Sequence, residues 1–230
     1  MTSEKAKNIV ELRQLLAEKF PGIRMAAGRP ESLVKRWPTG VSAVDFQLGG
    51  GLAKSALTEI ISSGVRCGSS LLLGAIIQQA QQNGQWVALI DGADSFDPGT
   101  LRNEELSRLL WVRCSNPREA MKATDLLLHD GTIPIVVIDL IGCALKQLRR
   151  IPSSTWHRLS RTVETTATVC PLFTPEVMIS TAETRLELQP RFTIESLDTE
   201  RETLFSQIVV RVATAELGAI DEKKRFGVTG

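Results

Sequence analysis

The chain has 230 residues, a length that suits one domain with short extensions and allows a substantial buried core. Its 27 basic and 26 acidic residues nearly cancel, so the net charge of +1 argues neither for nor against nucleic-acid binding. Apolar runs fall short of the roughly 20 residues that cross a bilayer, and the first 14 residues lack the apolar core of a signal peptide. We expect a cytoplasmic protein that does not enter the membrane.

Residues 1–36 are predicted to form an extension of the main domain. Apolar side chains recur at helical spacing between residues 7 and 20, and Pro21 and Gly22 end the pattern. The following stretch to residue 36 is rich in charge and contains Gly28 and Pro30. The extension therefore combines an amphipathic helix with a linker.

From residue 37 onward the sequence alternates between strand and helix patterns. Strands are predicted at 57–61, 86–91, 110–114, 133–140 and 167–173. Helices are predicted at 70–83, near 101–108, at 117–129 behind the cap pair Asn116-Pro117, and at 153–165 behind Ser153-Ser154. This rhythm predicts an α/β fold with a mostly parallel central sheet flanked by helices.

The pattern changes after residue 175. Residues 185–188, 191–194 and 207–213 are predicted to be antiparallel strands at the edge of the sheet. Residues 37–217 would then form the core domain, and residues 218–230 a charged tail.

The cysteines and histidines give no indication of a metal centre. No C-x-x-C pair occurs, and the two histidines are isolated. We predict buried free thiols at the four cysteines, Cys67, Cys114, Cys143 and Cys170.

The loop after the first core strand is the first candidate site. Residues 62–71 read SSGVRCGSSL, whereas a functional phosphate-binding loop has the form G-x-x-x-x-G-K-[ST]. The best alignment places Ser63 at the first glycine, Gly68 at the second, Ser69 at the lysine and Ser70 at the hydroxyl. The loop therefore has the length of the phosphate-loop pattern but lacks its lysine. An ordinary turn between a strand and a helix remains the alternative.

Two further strand ends carry acidic residues. The strand IVVID at 135–139 ends in Asp139, which is the form of a magnesium-supporting Walker B element. The alternative is a buried strand whose terminal aspartate caps the next turn. The stretch IDGADSFDP at 90–98 follows a neighbouring strand.

Together these segments resemble the core of the RecA recombinases over roughly residues 38–213. The segment TGVSAVDFQLGGGL at 39–52 is similar to the family's glycine-rich opening, and residues 90–98 are similar to its F-I-D-A-E-H-A-L-D-P segment. The resemblance implies a RecA-like P-loop fold, with ATP and magnesium as the ligands of an intact site.

The chain departs from the family's pattern at three functional positions. Ser69 replaces the lysine, Ala93 aligns with the catalytic glutamate, and Thr100 lies near the position of the tyrosine that stacks on adenine. The second DNA-binding loop shrinks to 174–184. Because each lost charge-stabilising group costs a factor on the order of 10³ or more, we expect no useful ATP hydrolysis and assign no catalytic residue. Bound ATP and magnesium are disfavoured. The vestigial nucleotide-binding residues would be Ser63, Gly64, Gly68, Ser69, Ser70 and Asp139.

Degenerate RecA-like chains of this size resemble the ImuA and SulA-related group. That resemblance implies an accessory protein in damage-induced mutagenesis, whose partners are an inactive Y-family polymerase homologue of the ImuB type and an error-prone polymerase. One alternative is an active or weak ATPase of the RecA/RadA type that uses Arg66 as the replacement cation and Asp94 as the acid. Another is a division inhibitor of the SulA type that acts on the FtsZ ring.

Two surface features allow a functional or a purely structural interpretation. Lys146, Arg149 and Arg150 occupy the place of the family's first DNA-contacting loop, so they are candidate DNA contacts or simply a solvated loop. The N-terminal helix either folds back on its own domain or, as in RecA-like filaments, mediates homo-oligomerisation or partner docking.

Overall fold

The architecture comes from a computed structural model, which describes residues 35–213 with the exception of 65, 181 and 183. The predicted N-terminal helix and the predicted tail at 218–230 lie outside the described residues.

The strands and helices predicted between residues 57 and 173 all form, and in the predicted order. The strands are β1 Arg36–Trp37, β2 Leu52–Ala53, β3 Ala56–Ile61, β4 Val87–Asp91, β5 Leu109–Arg113, β6 Ile135–Asp139, β7 Val169–Thr174, β8 Thr184–Leu188 and β9 Val210–Ala213. The helices are α1 Ser42–Gln47, α2 Ser69–Gln82, α3 Asn103–Leu106, α4 Pro117–Asp130, α5 Leu145–Leu148, α6 Ser153–Glu164 and α7 Arg201–Phe205, with 3-10 turns at Pro98–Thr100 and Ile194–Asp198.

Seven strands form the central sheet in the order β5-β4-β6-β7-β3-β8-β9. All neighbouring strands run parallel except β8 and β9, which pair antiparallel. The predicted fold class is confirmed: the protein is α/β with a mostly parallel sheet, flanking helices and an antiparallel edge. Strands β1 and β2 form a separate short antiparallel pair.

Two details of the predicted edge are wrong. Strand β8 is antiparallel only to β9, because its other side pairs parallel with β3. The predicted strand at 191–194 does not form, and a 3-10 turn begins at Ile194. The backbone N–H groups of Arg191 and Phe192 instead donate to the carbonyl oxygen of Arg66, so they are not available to a neighbouring strand.

The sheet separates two apolar clusters, one on each face. Leu72, Ile76 and Ile77 of α2 pack on one face together with residues of β3 and β4. On the opposite face, Leu128 of α4 and Leu159 of α6 pack against alternate residues of β4 and β6. Each fully buried aliphatic side chain contributes about 1.5–3 kcal/mol, so the two clusters hold the helices to the sheet.

The predicted cap of α4 and the predicted start of α6 are both confirmed. The side chain of Asn116 accepts a hydrogen bond from the Glu119 N–H at 3.1 Å, and Pro117 begins the helix. Helix α6 begins at Ser153 as expected, but its capping position is Pro152, which has no side-chain acceptor.

All four cysteines are buried, as predicted. Within the part of the chain that the structure describes, none of the helices combines the length and apolar character of a bilayer-spanning helix.

Candidate functional site

The loop from residue 62 to residue 68 leads from the end of β3 into the start of α2. The Ser62 N–H donates to the Thr174 carbonyl at 2.9 Å, which extends the pairing of β3 with β7. Gly68 adopts a left-handed conformation with a φ of 79°, and its carbonyl accepts the first helical hydrogen bond, from Leu72. Helix α2 therefore begins directly beyond a parallel strand end, which is a geometry suited to anions.

The loop forms the wall of a cleft of about 570 Å³. Five of the residues predicted for the vestigial nucleotide site lie together there: Ser63, Gly64, Gly68, Ser69 and Ser70. The other lining residues are Ser62, Arg66, Cys67, Leu71, Ile141, Pro175 and Phe192.

Phe192 packs directly against the glycine at the start of α2. A Cβ atom on Gly68 would lie 2.5 Å from Cε2 of Phe192, so only glycine leaves room for the ring. The N–H groups of Arg191 and Phe192 donate to the Arg66 carbonyl at 3.1 and 3.2 Å. The segment after β8 is thereby fastened to the loop, and the Phe192 side chain is only 8% exposed. Sequence reasoning missed Phe192 because the contact joins distant parts of the chain.

Asp139 lies at the end of β6 beside Asp91 of β4, and the two are paired in register. Its Oδ1 accepts a hydrogen bond from the Ile141 N–H at 3.0 Å, the turn-capping role considered as the alternative above. Burial raises the pKa of Asp139 to about 6, and the nearby negative charge of Asp91 adds to the effect. Asp139 does not line the cleft, whereas Ile141 does.

Asp91 organises the turn after β4. Its buried carboxylate accepts hydrogen bonds from the N–H groups of Ser95 and Phe96 at 3.0 and 2.8 Å. It also accepts one from the Trp111 indole at 3.3 Å. Sequence reasoning noted this segment without assigning Asp91 a role. A signal was available, because an aspartate that ends a strand before glycine and serine is typical of a capped turn.

Asp94, the candidate acid, is held by an arginine from the outermost strand of the sheet. Arg113 of β5 donates to both of its carboxylate oxygens at 2.6 and 2.8 Å. These hydrogen bonds keep the pKa of Asp94 below its usual value. The Arg113 guanidinium also lies 4.9 Å from the centre of the Trp111 ring. Asp94 is therefore a paired carboxylate that does not line the cleft.

The three candidate DNA contacts have different surroundings. Lys146 is exposed on α5. Arg149 makes a two-pronged ion pair with Glu176 at 2.7 and 2.8 Å, which lowers the pKa of Glu176. Arg150 is exposed and lines a second cleft, between α4 and α6.

A parallel sheet with a glycine-containing loop leading from a strand into a helix defines an α/β protein of the P-loop type. The sequence profile of the RecA N-terminal domain matches residues 19–150, which is more than half of the chain. The chain belongs to the RecA N-terminal domain family.

The chain is similar to several RecA proteins at modest identity. It is 27% identical to Protein RecA of Chlorobium chlorochromatii over 165 residues, which cover 64% of this chain and 46% of that protein. It is 33% identical to Protein RecA of Chlorobaculum tepidum over 112 residues, 47% of this chain and 32% of that protein. The corresponding match to Protein RecA of Bifidobacterium longum is 31% over 117 residues, 50% of this chain and 29% of that protein. The chain thus spans less than half the length of these relatives.

Proposed function

We propose that this chain is a catalytically impaired RecA-like accessory protein in DNA repair, which acts in damage-induced translesion mutagenesis by binding protein partners. Its membership of the RecA N-terminal domain family supports a role connected with DNA repair and recombination. The proposed partners are a Y-family polymerase homologue of the ImuB type and an error-prone polymerase. The observation that carries the proposal is the state of the phosphate loop: Ser69 stands in the lysine position, and Phe192 is packed on Gly68.

The residues of the cleft do not fit a magnesium-bound nucleoside triphosphate. A phosphate-binding loop requires a lysine beside the terminal phosphates and open backbone N–H groups around them. Among the lining residues Arg66 is the one cation, and it lies on the exposed part of the loop. The Phe192 ring lines the same cleft and fills the space that a Cβ atom on Gly68 would occupy.

The residues available for activating water do not fit either. The position of the catalytic glutamate is Ala93, which has no basic group. Asp94 is the neighbouring carboxylate, but both of its oxygens accept hydrogen bonds from Arg113. These hydrogen bonds lower the pKa of Asp94, which makes its carboxylate a weaker base. The ATPase alternative, which relies on Arg66 and Asp94, would therefore depend on a weakened base.

The position assigned to adenine stacking is also altered. The carbonyl of Thr100 accepts a hydrogen bond from Arg201 of α7. The same C-terminal region thus contacts the phosphate loop through Phe192 and the adenine position through Arg201. Both contacts support the proposal that the domain keeps the family's fold and uses it to bind protein partners.

Calorimetric titration of the full chain with magnesium and ATP tests the proposal. We expect no binding at micromolar ATP and no phosphate release above the buffer blank. Magnesium-dependent binding in the micromolar range would contradict the proposal and favour the ATPase alternative.

Affinity purification of the tagged chain from DNA-damaged cells tests the partner class. We expect polymerase subunits to be recovered with the tagged chain and to be absent from a purification with the tag alone. Recovery of an FtsZ-type protein in their place would favour the division-inhibitor alternative.

A further inference from the structure

A second cleft of about 660 Å³ opens between α4 and α6, distinct from the phosphate loop. We call it the basic groove and define it by six of its lining residues, four cationic and two apolar: Arg118, Lys122, Arg150, Arg158, Met121 and Ile151. None of these residues lines the cleft at the phosphate loop.

Most of the positive charge in the basic groove is uncompensated. Asp125 is the one acid that lines it, and its carboxylate already lies 3.2 Å from Nε of Arg158 and 3.7 Å from the His129 ring. Arg118, Lys122 and Arg150 are exposed and form no ion pair with any acid in the described part of the chain. Three cations thus line one cleft without forming an ion pair in the described part of the chain.

The helix that borders the groove adds to its positive character. Helix α6 has 12 residues and begins beside the groove, where Pro152 and Thr155 are lining residues. No side chain caps its first turn, so the positive end of the helix dipole is not offset there. The positive end of this helix would attract a carboxylate, as would the side chains of Arg118, Lys122 and Arg150.

The floor of the groove is apolar and contains no aromatic ring among its lining residues. Met121 is 6% exposed and Ile151 is half-buried, so both can contact an apolar side chain that enters from above. Single-stranded nucleic acid is usually held by aromatic side chains on which its bases stack. An apolar floor with a cationic rim is instead typical of a protein interface.

We propose that the basic groove binds an acidic segment of a protein partner. One apolar side chain of that segment contacts Met121 and Ile151, while flanking carboxylates pair with Arg118, Lys122 and Arg150. The inference rests on the proposed function only in that the chain acts through partners, and it names the surface and the chemistry of the partner.

Selection from a phage-displayed library of random peptides tests the inference on the full chain. Counter-selection uses the double variant Arg118→Glu and Arg150→Glu, whose two exposed positions tolerate reversal of charge without disturbing the core. We expect enrichment of peptides that carry Asp or Glu on both sides of one aliphatic or aromatic residue. Enrichment of peptides without acidic residues, or no enrichment over the counter-selected variant, would overturn the inference.

Fluorescence anisotropy with an enriched synthetic peptide then measures the contribution of each cation. We expect Arg118→Glu, Lys122→Glu and Arg150→Glu each to weaken binding by about tenfold, with a further loss as the salt concentration rises. Arg108→Glu is the matched control, because Arg108 is also exposed and does not line the groove. An equal loss with Arg108→Glu would show a general charge effect and would contradict the inference.

A labelled oligothymidine of about 20 nucleotides distinguishes a DNA site from a peptide site. We expect at most weak binding that Arg118→Glu and Arg108→Glu reduce equally. If the oligothymidine binds at the groove and acidic peptides do not, the site is a nucleic-acid site and the inference fails. This result is independent of the calorimetric test with ATP, which probes only the phosphate loop.

Discussion

Arg185 and Glu59 form a buried ion pair across two parallel strands, with Arg185 Nε 2.8 Å from Glu59 Oε2. The two residues are register partners in β8 and β3. The Glu59 side chain is fully buried and that of Arg185 is 13% exposed. The other Glu59 oxygen accepts hydrogen bonds from the N–H groups of Met178 and Ile179 at 2.6 and 3.1 Å. One carboxylate therefore holds both β8 and the segment that precedes it.

Replacing Glu59 by alanine is expected to destabilise the protein strongly. The change leaves the Arg185 charge without its partner and two backbone N–H groups without their acceptor. Breaking a buried pair in this way typically lowers the free energy of unfolding by about 3–5 kcal/mol. Urea denaturation followed by circular dichroism measures the loss. Glu187→Ala in β8, the strand of Arg185, is the control: Glu187 is partly exposed and forms no ion pair in the described residues, so we expect about 0.5 kcal/mol or less. Equal losses in the two variants would contradict the assigned role of Glu59.

Phe192→Ala tests whether the segment after β8 is anchored on the phosphate loop. Removing a buried phenylalanine ring lowers the free energy of unfolding by about 3–5 kcal/mol when the surroundings do not collapse into the cavity. Ile194→Ala in the same segment is the control, since Ile194 is 80% exposed. We expect chemical denaturation to show a large loss for Phe192→Ala and almost none for Ile194→Ala. If both variants lose equally little free energy of unfolding, the Phe192 ring is not anchored on the phosphate loop.

Gly68→Ala tests the same contact between Gly68 and the Phe192 ring by changing the glycine. Alanine at this position combines an unfavourable positive φ with a clash against the Phe192 ring, and we expect a loss of about 1–3 kcal/mol in the free energy of unfolding. Gly64→Ala is the control, because its φ is ordinary and a Cβ there meets no atom within 4 Å. In a Phe192→Ala background the cost of Gly68→Ala should fall, since only the backbone strain remains. If the double variant loses the sum of the two single losses in free energy of unfolding, the proposed contact between Gly68 and Phe192 is wrong.

Asp139→Asn is expected to stabilise the protein at neutral pH. The folded protein raises the pKa of Asp139 from 3.8 to about 6, so the native state retains a proton that the unfolded chain has already released. Stability therefore declines as the pH rises from about 4 to about 6 and stays lower above that range. Asparagine removes this penalty, by about 1–3 kcal/mol at pH near 7, and can still accept the hydrogen bond from Ile141. Thermal melts from about pH 4 to about pH 7 should show that Asp139→Asn raises the melting temperature at neutral pH and leaves it unchanged near pH 4.

The matched control for this pH dependence is Asp94→Asn. The hydrogen bonds from Arg113 lower the pKa of Asp94, so its charged form favours the folded state. We expect no stabilisation from Asp94→Asn at neutral pH. A pH-independent gain in Asp139→Asn, or an equal gain in Asp94→Asn, would show that the pKa of Asp139 is not the cause.

Cys143 and Cys170 are expected to resist alkylation in the folded protein. Burial raises the pKa of both thiols to about 12, so roughly one part in ten thousand is thiolate at pH near 8. Mass spectrometry after iodoacetamide treatment should find both peptides unlabelled in the native chain and fully labelled in guanidinium chloride. Rapid labelling of the native chain would mean that these positions open to solvent.

The sequence was sufficient to predict the sheet and the loop of the candidate site. The apolar run of β3, the glycine at 68 and the apolar helix behind it carry local signals, and their observed bounds lie within one or two residues of the predicted ones. Local patterns report the periodicity of side chains, and a buried parallel sheet imposes that periodicity on every strand. The loop residues that line the cleft were predicted instead from their alignment with the phosphate-loop pattern.

The partners of that loop could not be predicted from the sequence. The stretch from Arg191 to Ile194 alternates charged or polar and apolar residues as an edge strand does, but its N–H groups are taken by the Arg66 carbonyl. Asp94 follows a strand as a free acid would, yet its partner is Arg113 on another strand. Both contacts depend on how distant segments meet in the folded chain, and no local pattern contains that information.

The contact between Phe192 and Gly68 bears on how such a protein would be regulated. A nucleotide can switch a domain only if it binds one conformation more tightly than another. Here the helix start that would respond is already held in one arrangement by a ring and two backbone hydrogen bonds from the same chain. Under the proposed function the domain has no ATP-driven cycle between two states, so its control would not depend on the nucleotide.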